Sequence, residues 1–242
     1  MTLDILYSDD DLVAVHKTSG LLVHRTSIDR SADEFALQIV RDQISAQVYP
    51  VHRLDRPTSG VLLFAKSSEV ARLLCADFEH GRVSKTYLAI VRGVPSIQKC
   101  LVDYPLKEEI DRKSDPRIRK DKPPQSAQTQ VEWLAHCEIP VQVDRYPCSR
   151  YSLIKAQPLT GRRHQVRRHL RHLGHPIIGD VTHGSGKHNR FFEERFGFRR
   201  LYLACTELRL LHPKTQKNLT LYARPEQNFC QVAKELGWER YL

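Results

Sequence analysis

No apolar run in this 242-residue chain approaches the roughly 20 residues that a membrane-spanning helix needs. The stretch from Met1 to Asp11 is acidic and mixed, without the basic start and apolar middle of a secretory signal. Both absences point to the cytoplasm. The six cysteines, at 75, 100, 137, 148, 205 and 230, are scattered and form no C-x-x-C pair. That pattern fits reduced thiols and argues against a disulfide framework or a zinc ribbon. No H-E-x-x-H stands among the twelve histidines, so no metal site is expected. The G-x-S-x-G elbow of serine hydrolases is missing. His183-Gly184-Ser185-Gly186-Lys187 ends like a phosphate-binding loop, but Val181 and His188 occupy the places that need Gly and Ser or Thr. No internal repeat is visible.

What is present is positive charge. Thirty-eight basic side chains face 28 acidic ones, a formal net charge of +10, in a chain of ordinary globular make-up. A basic balance of this size fits a polyanionic partner, of which nucleic acid is the commonest. The length allows one large domain or two small ones.

The rarity of acid becomes local in one window. From Gln43 to Ser68 the one acidic residue is Asp55, set between Arg53 and Arg56 in His52-Arg53-Leu54-Asp55-Arg56-Pro57-Thr58-Ser59-Gly60. A lone carboxylate between two guanidinium groups has reason to stay ionised. Val51–Leu54 and Val61–Ala65 are strand-like and bracket it. Apolar spacing predicts helices over Phe35–Ile44 and Phe229–Leu236. A further helix is predicted from Ser67-Ser68, with Val70, Leu73, Leu74 and Phe78 as its stripe and Gly81 just past its end. Lys85–Val94 reads as a central strand covered on both faces, so Tyr87, taken alone, is more core than chemistry. More strands are expected at Gln130–Leu134, Tyr151–Ala156, Leu201–Leu211 and Leu219–Ala223. Residues 107–130 are polar and basic and carry three prolines, the pattern of a flexible or RNA-facing connection within one domain. Runs of strands with interspersed helices, not strict βαβ alternation, favour an α+β fold with a mixed, largely antiparallel central sheet and flanking helices.

The second signal is a basic helix. Arg162 to His175 holds five arginines, four histidines and no acid. Val166, Leu170 and Leu173 give it a narrow apolar face, Arg163, Arg167 and Arg171 form a cationic stripe, and Gly174 and Pro176 end it. Like charges this dense repel, so counter-charge from the fold or a ligand is expected.

Together these motifs resemble the pseudouridine synthases of the large-ribosomal and tRNA uridine type, whose signature H-R-L-D-x-x-T-S-G stands unbroken at 52–60. The resemblance takes in Lys17, Gly20 and His24, then Lys85-Thr86-Tyr87-Leu88-Ala89 with Val91 and Gly93. It continues through Thr160-Gly161-Arg162-Arg163-His164-Gln165-Val166-Arg167, Gly174-His175-Pro176-Ile177 with Gly179-Asp180, and His212-Pro213. Within the family the branch acting on uridine 65 of tRNA carries the nearer likeness, through Leu22-Val23-His24-Arg25, Asp29-Arg30, Arg41-Asp42-Gln43-Ile44 and Val61. Three positions depart from the usual pattern: Thr18 after the first lysine, Ala204-Cys205 near the last strands, and His183 before its glycine.

The resemblance implies an isomerase that detaches uracil from ribose at N1 and rejoins it through C5, with no redox change and no cofactor. It implies Asp55 as the catalytic carboxylate, adding to C1′ or removing a proton from C2′, with Arg167 as salt-bridge partner and Arg162 as the alternative. Tyr87 would meet the uracil ring and Arg53 would enter the space vacated by an extruded base. Arg56, Arg162, Arg163, His164, Arg168 and Arg171 are the other candidate RNA contacts. The motifs begin almost at residue 5, so the expectation is a single catalytic domain over 1–242 with no separate N-terminal RNA-binding domain, monomeric, with tRNA as partner. The other readings are a ribosomal-RNA synthase of the same family, a non-catalytic RNA-binding protein, and a metal-independent nuclease using paired histidines.

Overall fold

The computed structural model describes residues 2–24, 34–108 and 123–242. The chain opens with a hairpin, β1 (Ile5–Ser8) and β2 (Leu12–Lys17), then helix α1 (Ala36–Ile44), a short β3 (Tyr49–Pro50), β4 (Ser59–Ala65) and helix α2 (Ser68–Glu79). Strands β5 (Ser84–Arg92), β6 (Lys99–Asp103), β7 (Gln128–Ile139) and β8 (Ser149–Pro158) follow. Helices α3 (Gln165–His172) and α4 (Gly186–Phe196), strands β9 (Leu203–Leu211) and β10 (Asn218–Tyr222), and helix α5 (Gln227–Glu235) complete the chain.

The strands make one ten-stranded sheet ordered β1-β2-β4-β9-β5-β8-β7-β6, with β10 on β9 and β3 on β4. Every pairing is antiparallel except β4 with β9. The expected mixed, largely antiparallel sheet is therefore present. Strand β9 arrives late in the chain and seats itself between the early strands and the β5–β8 group. Its two parallel contacts, Ser59 with Ala204 and Gly60 with Cys205, lie at the end of the H-R-L-D window. Gly60 has φ +117°, and a Cβ there would overlap the Cys205 carbonyl, so the close strand approach requires glycine.

The continuous apolar runs of β4 and β5 are buried on both faces, as central strands are. Helix α2 begins where expected: Ser67 Oγ accepts the Val70 N–H at 3.2 Å, and Gly81 takes φ +70° beyond the last turn. Val51–Leu54 does not become a strand. Its backbone leaves the sheet after β3 and forms the loop that carries Asp55, with Val51 and Leu54 anchored in the core beneath. Strand β7 starts at Gln128, inside the stretch expected as a flexible connection, because β6 supplies a partner for it. The basic positions of that connection between 109 and 122, and the residues Arg25, Asp29 and Arg30, lie outside the described residues. Among the described residues no helix is long and apolar enough to cross a membrane.

The basic helix is shorter than its charge run. His164 adopts φ +54° and α3 starts only at Gln165, so Arg162 and Arg163 sit in the turn before it and the Arg163–Arg167–Arg171 stripe does not form. The buried Gln165 explains the late start. Its Oε1 accepts from Thr160 Oγ1 at 2.7 Å and from the Arg162 N–H at 3.0 Å, while Nε2 donates to the Gln128 carbonyl at 2.9 Å. Val166 and Leu170 bury as expected, with Leu173 packed against them.

Candidate active site

The turn that presents Asp55 is fixed from behind. The Thr58 N–H closes it on the Asp55 carbonyl at 3.0 Å. The fully buried Lys17 donates from Nζ to the carbonyls of Thr18, Leu21 and Arg56 at 2.9, 2.7 and 3.1 Å. Burial pulls the Lys17 ammonium down to about 7, against the pull of Glu226 and Asp55. Ser19 Oγ donates to the Pro57 carbonyl at 2.8 Å, and Arg56 Nε donates to the Gly20 carbonyl at 3.0 Å. Arg56 thus ties two loops together and does not line the cavity in front of Asp55.

That cavity, about 380 Å³, opens between the early and late halves of the sheet. Arg53, Asp55, Tyr87, Arg162, Arg163, His164 and Arg167 all line it, so residues spread over more than a hundred positions converge. Arg167 Nη1 donates to Asp55 Oδ2 at 3.1 Å. Arg162, the alternative partner, instead gives its Nε to the Ser126 carbonyl at 3.1 Å. Arg53 and Arg163 are exposed at the rim. Arg168 donates to the Lys107 carbonyl at 2.9 Å, and neither it nor the exposed Arg171 lines the cavity.

Asp180, whose role no local pattern in the sequence marks, completes the set around Arg167. Its carboxylate takes the other edge of the Arg167 guanidinium, Nε at 2.7 Å and Nη2 at 2.8 Å, a two-pronged pair. It also accepts the N–H groups of Thr182 and His183. Burial pushes the Asp180 carboxyl up, but Arg167 and those two N–H groups outweigh it and hold it below the usual range. Arg167 is pulled down by burial and raised more by Asp180 and Asp55, for a net rise. The guanidinium is 4% exposed and Asp180 1%, whereas Asp55 is 20% exposed towards the cavity. The open carboxylate therefore belongs to a cluster with one more negative than positive group.

Helix α4, which no apolar period announced, builds this arrangement. Asn189 Oδ1 accepts the Gly179 N–H at 2.7 Å and its Nδ2 donates to the Asp180 carbonyl at 3.0 Å, fixing the turn that aims Asp180 at Arg167. His164 stands 3.9 Å from Asp55 through Nε2, and its Nδ1 lies 3.0 Å from His183 Nε2. His183, one of the three departures, is thus part of the surround of Asp55. Tyr87 reaches the same cavity from β5; burial first, then the Cys205 thiol and the Asp55 charge, push its phenol well above the ordinary value. A half-open carboxylate bonded to a buried arginine, a phenol kept protonated and a rim of arginines suit a nucleoside in RNA: sugar against carboxylate, base against ring, phosphates against the rim.

Residues 11–172 match the RNA pseudouridylate synthase family. A protein named tRNA pseudouridine synthase C from Vibrio cholerae is 48% identical over 99% of this chain and 98% of its own length. A protein of the same name from Pasteurella multocida is also 48% identical, over 99% and 98%. The solved structure of human RNA pseudouridylate synthase domain containing 1 superposes with a TM-score of 0.70 at 25% identity, over 92% of this chain and 83% of that one. With the family match spanning the Asp55 window, Tyr87 and Arg167, the chain belongs to the RNA pseudouridylate synthase family.

Proposed function

We propose that this protein converts a uridine of tRNA, uridine 65 being the specific target, to pseudouridine, with Asp55 as the carboxylate that acts at the ribose. The observation that carries the reading is the partly open Asp55 carboxylate, bound to buried Arg167 at 3.1 Å and sharing one cavity with Tyr87. Tyr87 receives the extruded base by stacking, Arg53 fills the gap left in the RNA, and the other rim arginines meet phosphates. The names of the relatives from Vibrio cholerae and Pasteurella multocida support tRNA as the substrate. No step changes oxidation state.

The test is Asp55→Asn on a tRNA transcript, with pseudouridine read by carbodiimide labelling and RNA affinity measured in parallel. Product formation falls by at least about 1,000-fold while Kd changes little. Turnover within ten-fold of wild type would remove Asp55 from the chemistry. A transcript with uridine 65 replaced by cytidine loses its labelled position; labelling elsewhere on the wild-type transcript would reassign the target.

A further inference from the structure

Lys85 lines the same cavity as Asp55 and Tyr87 and is 9% exposed. It lies two residues before Tyr87 on β5. Among the described residues its ammonium has neither a hydrogen bond nor an ion pair. Its neighbours explain why. Cys205 is a thiol whose pKa burial pushes up to about 12, so it stays neutral. His52 accepts the Leu63 N–H at 3.0 Å and is pulled down to about 3, by burial and then by the Lys85 charge, so it is neutral too. Burial lowers Lys85 itself, and only Cys205 offsets this. The other carboxylate on the cavity wall, Glu79, is exposed at the mouth. The Lys85 side chain is largely buried while its ammonium opens only onto the cavity, and partial dehydration without a counter-ion is costly. A counter-charge that arrives with the substrate removes that cost.

We propose that Lys85 supplies the positive charge that holds the detached uracil while it turns. This rests on the pseudouridine-forming reading above. When the N1–C1′ bond breaks, its electron pair leaves with the base, and uracil is an anion until C5 bonds to C1′. In the covalent route Asp55 holds C1′ as an ester, and attack by C5 displaces the carboxylate and returns the base to neutrality. The hydrogen on C5 then moves to N1, and atoms and charge balance. Lys85 and Tyr87 stand two residues apart on β5, so both side chains leave the same face of the strand, and both line the cavity with Asp55. A base held against Tyr87 therefore shares one cavity with the carboxylate that works on the sugar and with an ammonium that has no acid partner. RNA phosphates do not reach this depth, because the exposed Arg53, Arg162 and Arg163 meet them first at the rim. The charge Lys85 compensates exists in the transition state and intermediate but not in bound uridine, which makes its effect one on rate.

The experiment is Lys85→Met in the full chain, a change that keeps length and removes charge. Single-turnover conversion at saturating tRNA falls about 100-fold, Kd stays within about two-fold, the salt slope is unchanged, and the melting temperature equals or exceeds that of wild type. Lys85→Ala recovers at least part of its rate with added methylammonium and none with an uncharged amide. A weaker Kd with a salt slope flatter by about one and an unchanged saturating rate would assign Lys85 to a phosphate and overturn the proposal. A lower melting temperature with a rate that stays proportional to folded protein would overturn it in favour of a structural role. Wild-type protein on the same tRNA is the control: if it forms no pseudouridine, the underlying functional reading fails, whereas an active wild type with an equally fast Lys85→Met sinks the Lys85 assignment alone.

Discussion

Two buried arginines grip the two ends of one turn. Arg167 binds Asp55 at its start, and Arg200 Nη2 donates to Ser59 Oγ at its end, at 3.0 Å. Both guanidinium groups are almost sealed, at 4% and 3% exposure. Their partners differ. Arg200 is held by Ser59, Asn228, the Leu201 carbonyl and one carboxylate, Glu226, at 2.6 Å. Arg167 holds two carboxylates, one sealed and one facing the cavity. Burial depresses Arg200, while the two acids raise Arg167 above its ordinary value despite burial. A buried arginine with balanced partners fixes structure. One with a second carboxylate left half-open instead aims that carboxylate into the cavity. Arg200 holds the Ser59 end of the turn, and Arg167 holds the carboxylate that the turn presents.

Arg167→Met breaks the comparison hardest. It strands Asp180 without a counter-ion and lowers unfolding free energy by about 3–5 kcal/mol, with pseudouridine formation lost by at least about 1,000-fold. Adding Asp180→Asn restores much of the stability, measured by urea unfolding, but not the turnover. Recovery of turnover in the double variant would mean that Arg167 serves Asp180 alone.

Arg200→Met is the paired test. Glu226 is 20% exposed and can rehydrate, so the loss is smaller, about 2 kcal/mol. Well below its melting temperature the variant keeps turnover within about five-fold of wild type, because Arg167 still holds Asp55. Equal losses of rate in the two variants would erase the distinction between them.

The difference between the two arginines was only half legible in the sequence. The H-R-L-D window and the basic stretch that holds Arg167 stand out as dense local motifs, whereas Tyr87 reads as core on its own and becomes a candidate only through the family resemblance. Asp180 lies in the motif pair Gly179-Asp180, but its role depends on a turn that Asn189 of α4 fixes, and no apolar period marks α4. The buried face of that helix is carried by His188, Phe192 and Phe196, and with a histidine as one of the three the apolar spacing is too sparse to read. The start of α3 was misplaced because the charge run continues through a turn held by the Gln165 side chain, and charge is blind to backbone. Val51–Leu54 reads as a strand from its residues, yet the Asp55 loop needs that length of chain to leave the sheet. The sheet class was legible, since alternation and apolar runs report burial. The late insertion of β9 was not, because pairing partners distant in sequence leave no local mark.

The acid limb of stability separates the two arginines without substitution at Arg167. Asp180 has a folded pKa held below its ordinary 3.8. The stability it contributes is full above 3.8 and is lost as pH falls through the lower folded value. Wild type and Arg200→Met therefore share a falling melting temperature below about pH 4, whereas Asp180→Asn shows a flatter limb. An Asp180→Asn profile parallel to wild type would place the acid-sensitive group elsewhere.

The smallest effect comes from the next residue along α3. Arg168 points away from the cavity and gives Nη1 to the Lys107 carbonyl. One step around the helix turns the side chain by about 100°, so adjacent arginines serve different tasks. Arg168→Ala weakens tRNA binding by roughly three-fold at 0.1 M salt and flattens the salt slope by about one, as loss of a phosphate contact does. The single-turnover rate at saturating tRNA stays at the wild-type value. If that rate instead falls as far as in Arg167→Met, the chemistry depends on the total charge of α3 and not on which of its arginines faces Asp55. Sealing Arg167 between two carboxylates would then have no catalytic purpose.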